Sequence, residues 1–266
     1  MKAKSIWLIL TGMVLCFACL NIQERTSMAA RTPKSNTSKT RAPVIFMAGD
    51  STMESYRIIP ARPLRGWGQM FHMYFKDGAT VDNHGASGRS SKSFRDEGLW
   101  KRIMDNLRPG DYVIIQFGHN DKKGDPARHT EPFGTYKENL ARFVKEVRAK
   151  RGKPILATSI VRRYFDEKGK LQDSHGDYIV AVRRLAKEQN VPLLDLEKRS
   201  RKLVQNMGPE HSKKLYQWAD PKEYAGLPEG IKDDTHLNAY GASRICDLAV
   251  EEIQKNAPDL AKWLSR

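Results

Sequence analysis

The chain reads as an α/β fold of three layers, with a central parallel sheet of about five strands between two layers of helices. Two patterns predict it. Short, continuously apolar runs alternate with longer segments whose apolar residues recur every three or four positions. Hydrophobic residues make up 39% of the 266 residues against 29% charged, which suits a buried core and excludes a polytopic membrane protein. Strands that are apolar along their whole length belong in a sheet covered on both faces.

At the amino end, Met1–Arg25 has the pattern of an export signal. Lys2 and Lys4 precede an apolar run, Ile6–Leu20, of about fifteen residues, short for a membrane span. Ser27-Met28-Ala29-Ala30 offers a cleavage site, so residues 1–30 are expected to leave a periplasmic or extracellular product with no transmembrane anchor. Cys19, after Ala18, is an alternative point for a lipid anchor. Arg31–Arg41 (RTPKSNTSKTR) is Ser/Thr/Lys-rich without a hydrophobic pattern and reads as a flexible basic tether.

The body follows as alternating elements. Strands are expected at Val44–Ala48, Thr80–Asn83, Tyr112–Phe117, Ile155–Ile160 and Val191–Leu194. Helices are expected at Gly66–Phe75, Phe94–Leu107, Tyr136–Lys150, Tyr178–Gln189 and Tyr240–Gln254. Tyr136, Leu140, Phe143 and Val147, for example, share one helix face. The βαβα order implies a flavodoxin-like sheet with right-handed crossovers.

The formal net charge is +15. Residues 1–30 carry three cations and one anion, which leaves +13, and the tether carries four more cations, which leaves +9 for Ala42–Arg266. Such a chain favours polyanions: acidic polysaccharide, nucleic acid or an anionic membrane surface. No nucleic-acid-binding motif accompanies the charge, so no nucleic-acid partner is expected. Cys16 and Cys19 lie in the leader, leaving Cys246 as a single thiol, expected as a buried small hydrophobe in the last helix. A monomer held together by its core, without disulfides, is the expectation, and no metal or other cofactor is implied, because no Cys/His cluster is present.

Ligands on open α/β sheets bind beyond the carboxyl ends of the strands. Ser51 follows the first expected strand, Gly88 the second and Asn120 the third, so all three fall at one sheet edge. Ser51, at a strand-to-helix turn, is a candidate nucleophile; Gly49 permits close backbone approach, and Asp50 is assigned structural work. Asp233 and His236 are three apart and share a face on a turn or first helical turn, so Asp233 can hold the imidazole while Nε2 takes the Ser51 proton. Asp234 is a rival carboxylate, and His119 and His175 are further candidates for the base. The N–H of Gly88, the amide of Asn120 and the N–H of Ser51 make three oxyanion donors.

These segments, Gly49-Asp50-Ser51-Thr52, Gly85–Ser90, Gly118-His119-Asn120-Asp121 and Asp233-Asp234-Thr235-His236, resemble the block pattern of the SGNH hydrolase superfamily. Gly-Trp-Gly at 66–68, Gly-Arg-Ser-Ser-Lys-Ser-Phe at 88–94, Phe-Gly-His-Asn-Asp at 117–121 and Asp-Thr-His-Leu-Asn at 234–238 are closer still to the rhamnogalacturonan acetylesterases. The similarity spans roughly Ala42–Gln254 and implies that residues 42–266 form an SGNH hydrolase domain. It implies a serine esterase removing acetyl groups from a plant cell-wall polysaccharide, with Ser51, His236 and Asp233 as the triad. Lys92 stands where arginine is expected. The implied substrate carries galacturonate carboxylates, which points to Arg89, Arg162 and Arg163 as carboxylate forks, His119 as a substrate contact and Trp67 as a platform for a sugar ring. A lipid acylhydrolase and a non-catalytic carbohydrate-binding protein are the alternatives.

Overall fold

The computed structural model describes residues 41–58, 62–76 and 78–265. The leader, its cleavage site, Cys19 and all of the tether but Arg41 lie outside the described residues. The strands are β1 (Val44–Gly49), β2 (Thr80–Asn83), β3 (Tyr112–Gln116), β4 (Lys153–Ala157), β5 (Leu193–Leu194), β6 (Tyr216–Ala219) and β7 (Ile231–Leu237). The helices are α1 (Trp67–Met70), α2 (Ser93–Asp96), α3 (Leu99–Asn106), α4 (Lys137–Ala149), α5 (Asp177–Glu188), α6 (Leu196–His211), α7 (Ala239–Asn256) and α8 (Pro258–Ala261). The first five strands form one sheet in the order β2-β1-β3-β4-β5, every pair parallel. β6 and β7 form a separate antiparallel hairpin.

The continuously apolar strands split their side chains between two cores. Ile45 and Met47 of β1, Tyr112 and Ile114 of β3, and Ile155 and Ala157 of β4 pack with Trp67, Leu196, Val204, Ile245, Ala249 and Ile253. Their neighbours Phe46, Ala48, Val113, Ile115 and Leu156 pack with Ile103, Leu140, Phe143, Val147, Val182 and Leu185. The period-two alternation sends successive residues to opposite faces, so a run with no polar residue needs helices on both sides. Each fully buried large side chain contributes roughly 1.5–3 kcal/mol relative to exposure. Cys246 is buried in the first of these cores.

Some boundaries differ from expectation. The segment expected as one helix at 94–107 is two, α2 and α3, divided at Gly98 with φ +77°, a conformation glycine adopts without steric cost. β4 stops at Ala157 rather than Ile160: Thr158 still donates its N–H to Leu194, but its hydroxyl turns to the start of α6. α6 and the hairpin have no counterpart in the sequence reading. Among the described residues, no helix is long and apolar enough to cross a membrane.

Candidate active site

Ser51 leaves the carboxyl end of β1 on a single turn, closed by Met53 N–H donating to Asp50 C=O at 3.1 Å. The helix expected to follow does not form. The Tyr56 N–H, which a helix would direct to Thr52 C=O, donates instead to Gln69 Oε1, and the Thr52 carbonyl accepts from Trp67 N–H. Beneath the turn lies a buried chain of donors. Trp67 Nε1 donates to Gln116 Oε1 at 3.0 Å, Gln116 Nε2 to Thr52 Oγ1 at 2.9 Å, and Thr52 Oγ1 and N–H to Asp50 Oδ1 at 2.8 and 2.9 Å. Burial pushes the Asp50 carboxyl up to about 6, the Thr52 hydrogen bonds opposing it. Asp50 thus supports the turn from below, and Ser51 is left 8% exposed above it.

The imidazole arrives from the hairpin. His236 Nε2 lies 2.9 Å from Ser51 Oγ, and His236 Nδ1 lies 2.7 Å from Asp233 Oδ2. A regular strand would send residues three apart to opposite faces. Here the register slips: Tyr216 pairs with Leu237 but the adjacent Gln217 pairs with Asp233, so Asp234, Thr235 and His236 bulge out. Asp233 Oδ1 accepts the N–H of Thr235 at 2.8 Å and of His236 at 3.0 Å, which closes the bulge and aims Oδ2 at the ring. Burial raises the Asp233 carboxyl, but the bonds from the His236 ring and the His236 and Thr235 backbone outweigh it and hold the group below the usual range. The hairpin is pinned to the body through Arg65 N–H to Leu237 C=O, Arg163 N–H to Asp234 C=O and Tyr216 O–H to Val161 C=O.

Gly88 has φ +77°, the left-handed region that favours glycine. Among the described residues, neither its N–H nor that of Ser51 donates to a protein acceptor. Asn120 is buried, and its Nδ2 donates one hydrogen to Arg89 C=O at 3.0 Å, leaving the second. Asp121 ties the two loops together by accepting from Ser91 N–H, Ser91 O–H and Thr130 O–H; burial pushes its carboxyl up to about 7. The arrangement can draw a proton from a hydroxyl along the Ser51–His236–Asp233 line, and the Ser51 and Gly88 N–H groups and the second Asn120 amide hydrogen are left without a protein acceptor among the described residues, donors of the kind a developing oxyanion needs.

The residues expected to touch substrate fare differently. Trp67 is 0% exposed, its indole committed to Gln116, so it is a core residue and not a sugar platform. Arg163 is 8% exposed, with Nε on Asp234 Oδ1 at 2.6 Å and Nη1 on Pro209 C=O, so it braces the hairpin rather than offering a free fork. The same contact turns Asp234 away from the role of rival carboxylate. His119 is buried too: its Nδ1 lies 3.0 Å from His175 Nε2, and burial depresses both imidazoles, His175 to about 3, which leaves both neutral. His175, committed to His119 and Ser174, is not the base, while His119 keeps its Nε2 without a protein partner among the described residues. Arg89 stays partly exposed but pairs with Glu97 at 2.7 Å. Lys92, at the expected arginine position, donates to Pro126 C=O and fastens the loop beside Gly88. Arg162 does reach the site rim, donating to Thr235 Oγ1 at 3.1 Å and to His119 C=O at 3.3 Å. Two contributors went unnoticed in sequence. Tyr56 donates its hydroxyl to Ser51 C=O at 2.8 Å, and Gln116 links β3 to the Ser51 turn. Neither lies in a recognisable motif.

Fold and site define the class as a three-layer α/β hydrolase whose serine and histidine come from separate elements. The chain matches the GDSL-like Lipase/Acylhydrolase family over residues 47–244 and belongs to that family, one of carboxylic ester hydrolases. Rhamnogalacturonan acetylesterase RhgT of Bacillus subtilis (strain 168) is 40% identical over 211 residues, covering 79% of this chain and 89% of that protein. The probable rhamnogalacturonan acetylesterase YesY of the same organism is 35% identical over 212 residues, covering 79% and 92%. Among solved structures, protein YXIM of Bacillus subtilis matches with a TM-score of 0.68 at 29% identity, covering 80% of this chain and 56% of that one.

Proposed function

We propose that the protein is an exported serine esterase that removes O-acetyl groups from an acidic plant cell-wall polysaccharide, pectic rhamnogalacturonan foremost. The observation that carries this reading is the continuous line from Ser51 Oγ to His236 Nε2 at 2.9 Å and from His236 Nδ1 to Asp233 Oδ2 at 2.7 Å. The relatives named as rhamnogalacturonan acetylesterases support the acetyl and pectic part. The surplus of positive charge supports an acidic polymer. The basic, apolar leader supports export.

Ser51 Oγ attacks the acetyl carbonyl carbon as its proton passes to His236 Nε2, and Asp233 holds the Nδ1 hydrogen and steadies the imidazolium. The oxyanion accepts from the Ser51 and Gly88 N–H groups and the second amide hydrogen of Asn120. The intermediate collapses; the imidazolium returns its proton to the departing sugar hydroxyl, leaving an acetyl ester on Ser51. Water, deprotonated by His236, then attacks that ester, and acetate leaves as Ser51 recovers its proton.

Ser51→Ala is expected to lower kcat for p-nitrophenyl acetate by ~10⁴-fold or more with an unchanged circular dichroism spectrum. Retained activity would overturn the nucleophile. Acetate release from acetylated rhamnogalacturonan, set against a series of p-nitrophenyl esters of rising chain length, tests the substrate. A preference for long acyl chains would favour a lipid acylhydrolase.

A further inference from the structure

Donors to an oxyanion act together only at a fixed spacing, and the Ser51 and Gly88 N–H groups stand on different loops. In each loop the peptide carbonyl is tied down and the N–H is left over. Asp50 C=O accepts Met53 N–H at 3.1 Å, which sets the peptide plane that carries the Ser51 N–H. Ser87 C=O accepts Arg89 Nη1 at 2.7 Å, which sets the plane that carries the Gly88 N–H. A trans peptide points its C=O and N–H in opposite directions, so fixing one end aims the other.

The two planes must also be fixed relative to each other. One link is between backbones: Ala86 N–H donates to Gly49 C=O at 3.0 Å. The second link is a single side chain. Tyr56 Oη donates to Ser51 C=O at 2.8 Å and lies 3.1 Å from Ser87 Oγ. Ser87 Oγ in turn donates to Glu54 Oε2. That uses the Ser87 hydrogen, so the Tyr56 hydrogen is the one shared between Ser51 C=O and Ser87 Oγ, a three-centre bond. One hydroxyl thus touches Ser51 and the residue next to Gly88. Its hydrogen is committed to protein oxygens, so it is not a further donor to the oxyanion.

Tyr56 is anchored by a third element. Gln69 of α1 accepts Tyr56 N–H with Oε1 at 3.1 Å and donates Nε2 to Tyr56 C=O at 2.8 Å, so one amide holds both backbone groups. Burial raises the phenol above its ordinary value, against the Ser87 bond and with help from the Glu54, Asp50 and Asp233 carboxylates. The hydroxyl therefore keeps its hydrogen wherever a histidine base works.

We propose that Tyr56 is a positioning residue whose hydroxyl sets the spacing between the Ser51 and Gly88 oxyanion donors. The proposal rests on the esterase reading above. It adds the group that holds two of the donors in register.

Tyr56→Phe tests it, because the ring and the Gln69 contacts stay and only the hydroxyl goes. The variant is expected to lose about ten- to a hundredfold in kcat for p-nitrophenyl acetate, per active site titrated with a fluorophosphonate, with KM within about twofold of wild type. Inhibition by methylboronic acid, which forms a tetrahedral adduct on a serine, is expected to weaken by the same factor. A purely structural role would lower the number of titratable sites or the melting temperature and leave kcat per site and Ki unchanged. Ser87→Ala is expected to lose less, and adding it to Tyr56→Phe should cost nothing further, because Ser87 acts through Tyr56. Wild-type kcat per site and boronate affinity in Tyr56→Phe, or losses that multiply in the double variant, would overturn the positioning role and leave the esterase in place. A wild-type protein that neither releases p-nitrophenol nor takes the fluorophosphonate on Ser51 would overturn the esterase reading and this proposal with it.

Discussion

Ser51, Gly88 and Asn120 stand on loops that leave a sheet buried on both faces, whereas Asp233 and His236 stand on a two-stranded hairpin outside that sheet. The first group is fixed from beneath by buried donors running from Trp67 to Asp50 and by the Asp121 tie between loops. The second is fixed from the side, by a bulge that one carboxylate closes and by a few backbone bonds to the body. The difference also appears in acidity. Burial raises Asp50 and Asp121 on the rim, while hydrogen bonding lowers Asp233 on the hairpin. One region is organised by the core and shares its stability. The other is anchored in the core by Tyr216 and Leu237, but its Asp233–His236 bulge is organised by local polar contacts, so the bulge geometry can be lost while the core persists.

The largest effect is expected on the hairpin. His236→Gln should lower kcat for p-nitrophenyl acetate by about 10⁴-fold while the melting temperature stays within a few degrees of wild type. A large fall in melting temperature would mean that the bulge, and not only Tyr216 and Leu237, belongs to the cooperative core, and the contrast would collapse. Phe143→Ala reverses the pattern. Phe143 packs on Trp100 and Phe117 in the core face away from α7, so ~3–5 kcal/mol of stability should be lost in a urea titration, with kcat per folded molecule retained. Asn120→Ala lies between the two. It removes the amide donor and its bond to Arg89 C=O, and about 10²–10³-fold in kcat should go with it, a loss that steady-state assays resolve.

The smallest effect is on the pH dependence of stability. Asp50 and Asp121 sit at about 6 and about 7 in the fold against an ordinary 3.8, so the folded chain keeps protons that the unfolded chain has released. Stability from these two groups is therefore full below about pH 4, falls as pH rises through 6 and 7, and levels off above. Asp233 has the opposite sign: its contribution is present above 3.8 and is lost as pH falls through its lowered value. Asp121→Asn should flatten the decline between pH 4 and 7 in a series of thermal melts; an unchanged slope would show that Asp121 does not carry it.

The same division governs what the sequence discloses. β1, β3 and β4 are legible because burial on both faces demands uninterrupted apolar residues, and their order places Ser51, Gly88 and Asn120 at one edge. The hairpin is not legible. β7 (Ile-Lys-Asp-Asp-Thr-His-Leu) has no alternation, because Asp233 to His236 serve the site and the bulge, and only its last residue, Leu237, is buried in the core. α6 is obscured by the charged run Glu197-Lys198-Arg199 and by Gly208-Pro209 near its end. The spacing of Asp233 and His236 pointed to their partnership, but the bulge that produces it depends on register with β6, which one strand's sequence does not contain. Trp67 and Arg163 misled for a related reason: aromatic and cationic residues near a site look alike whether they face solvent or brace what lies behind it.

Cys246 lies beneath Trp67, its thiol donating to the Trp67 carbonyl, and burial pushes its pKa well above the ordinary value. In the native state, it is closed to alkylating reagents and to the thiolate chemistry they need. It is also the lone sulfhydryl in the described residues, so the rate at which an aromatic disulfide reagent reacts with it is a clock for core opening. Set beside the decay of ester turnover on warming, that clock tells whether catalysis stops when the molecule unravels or earlier, when a single polar contact between two elements lets go.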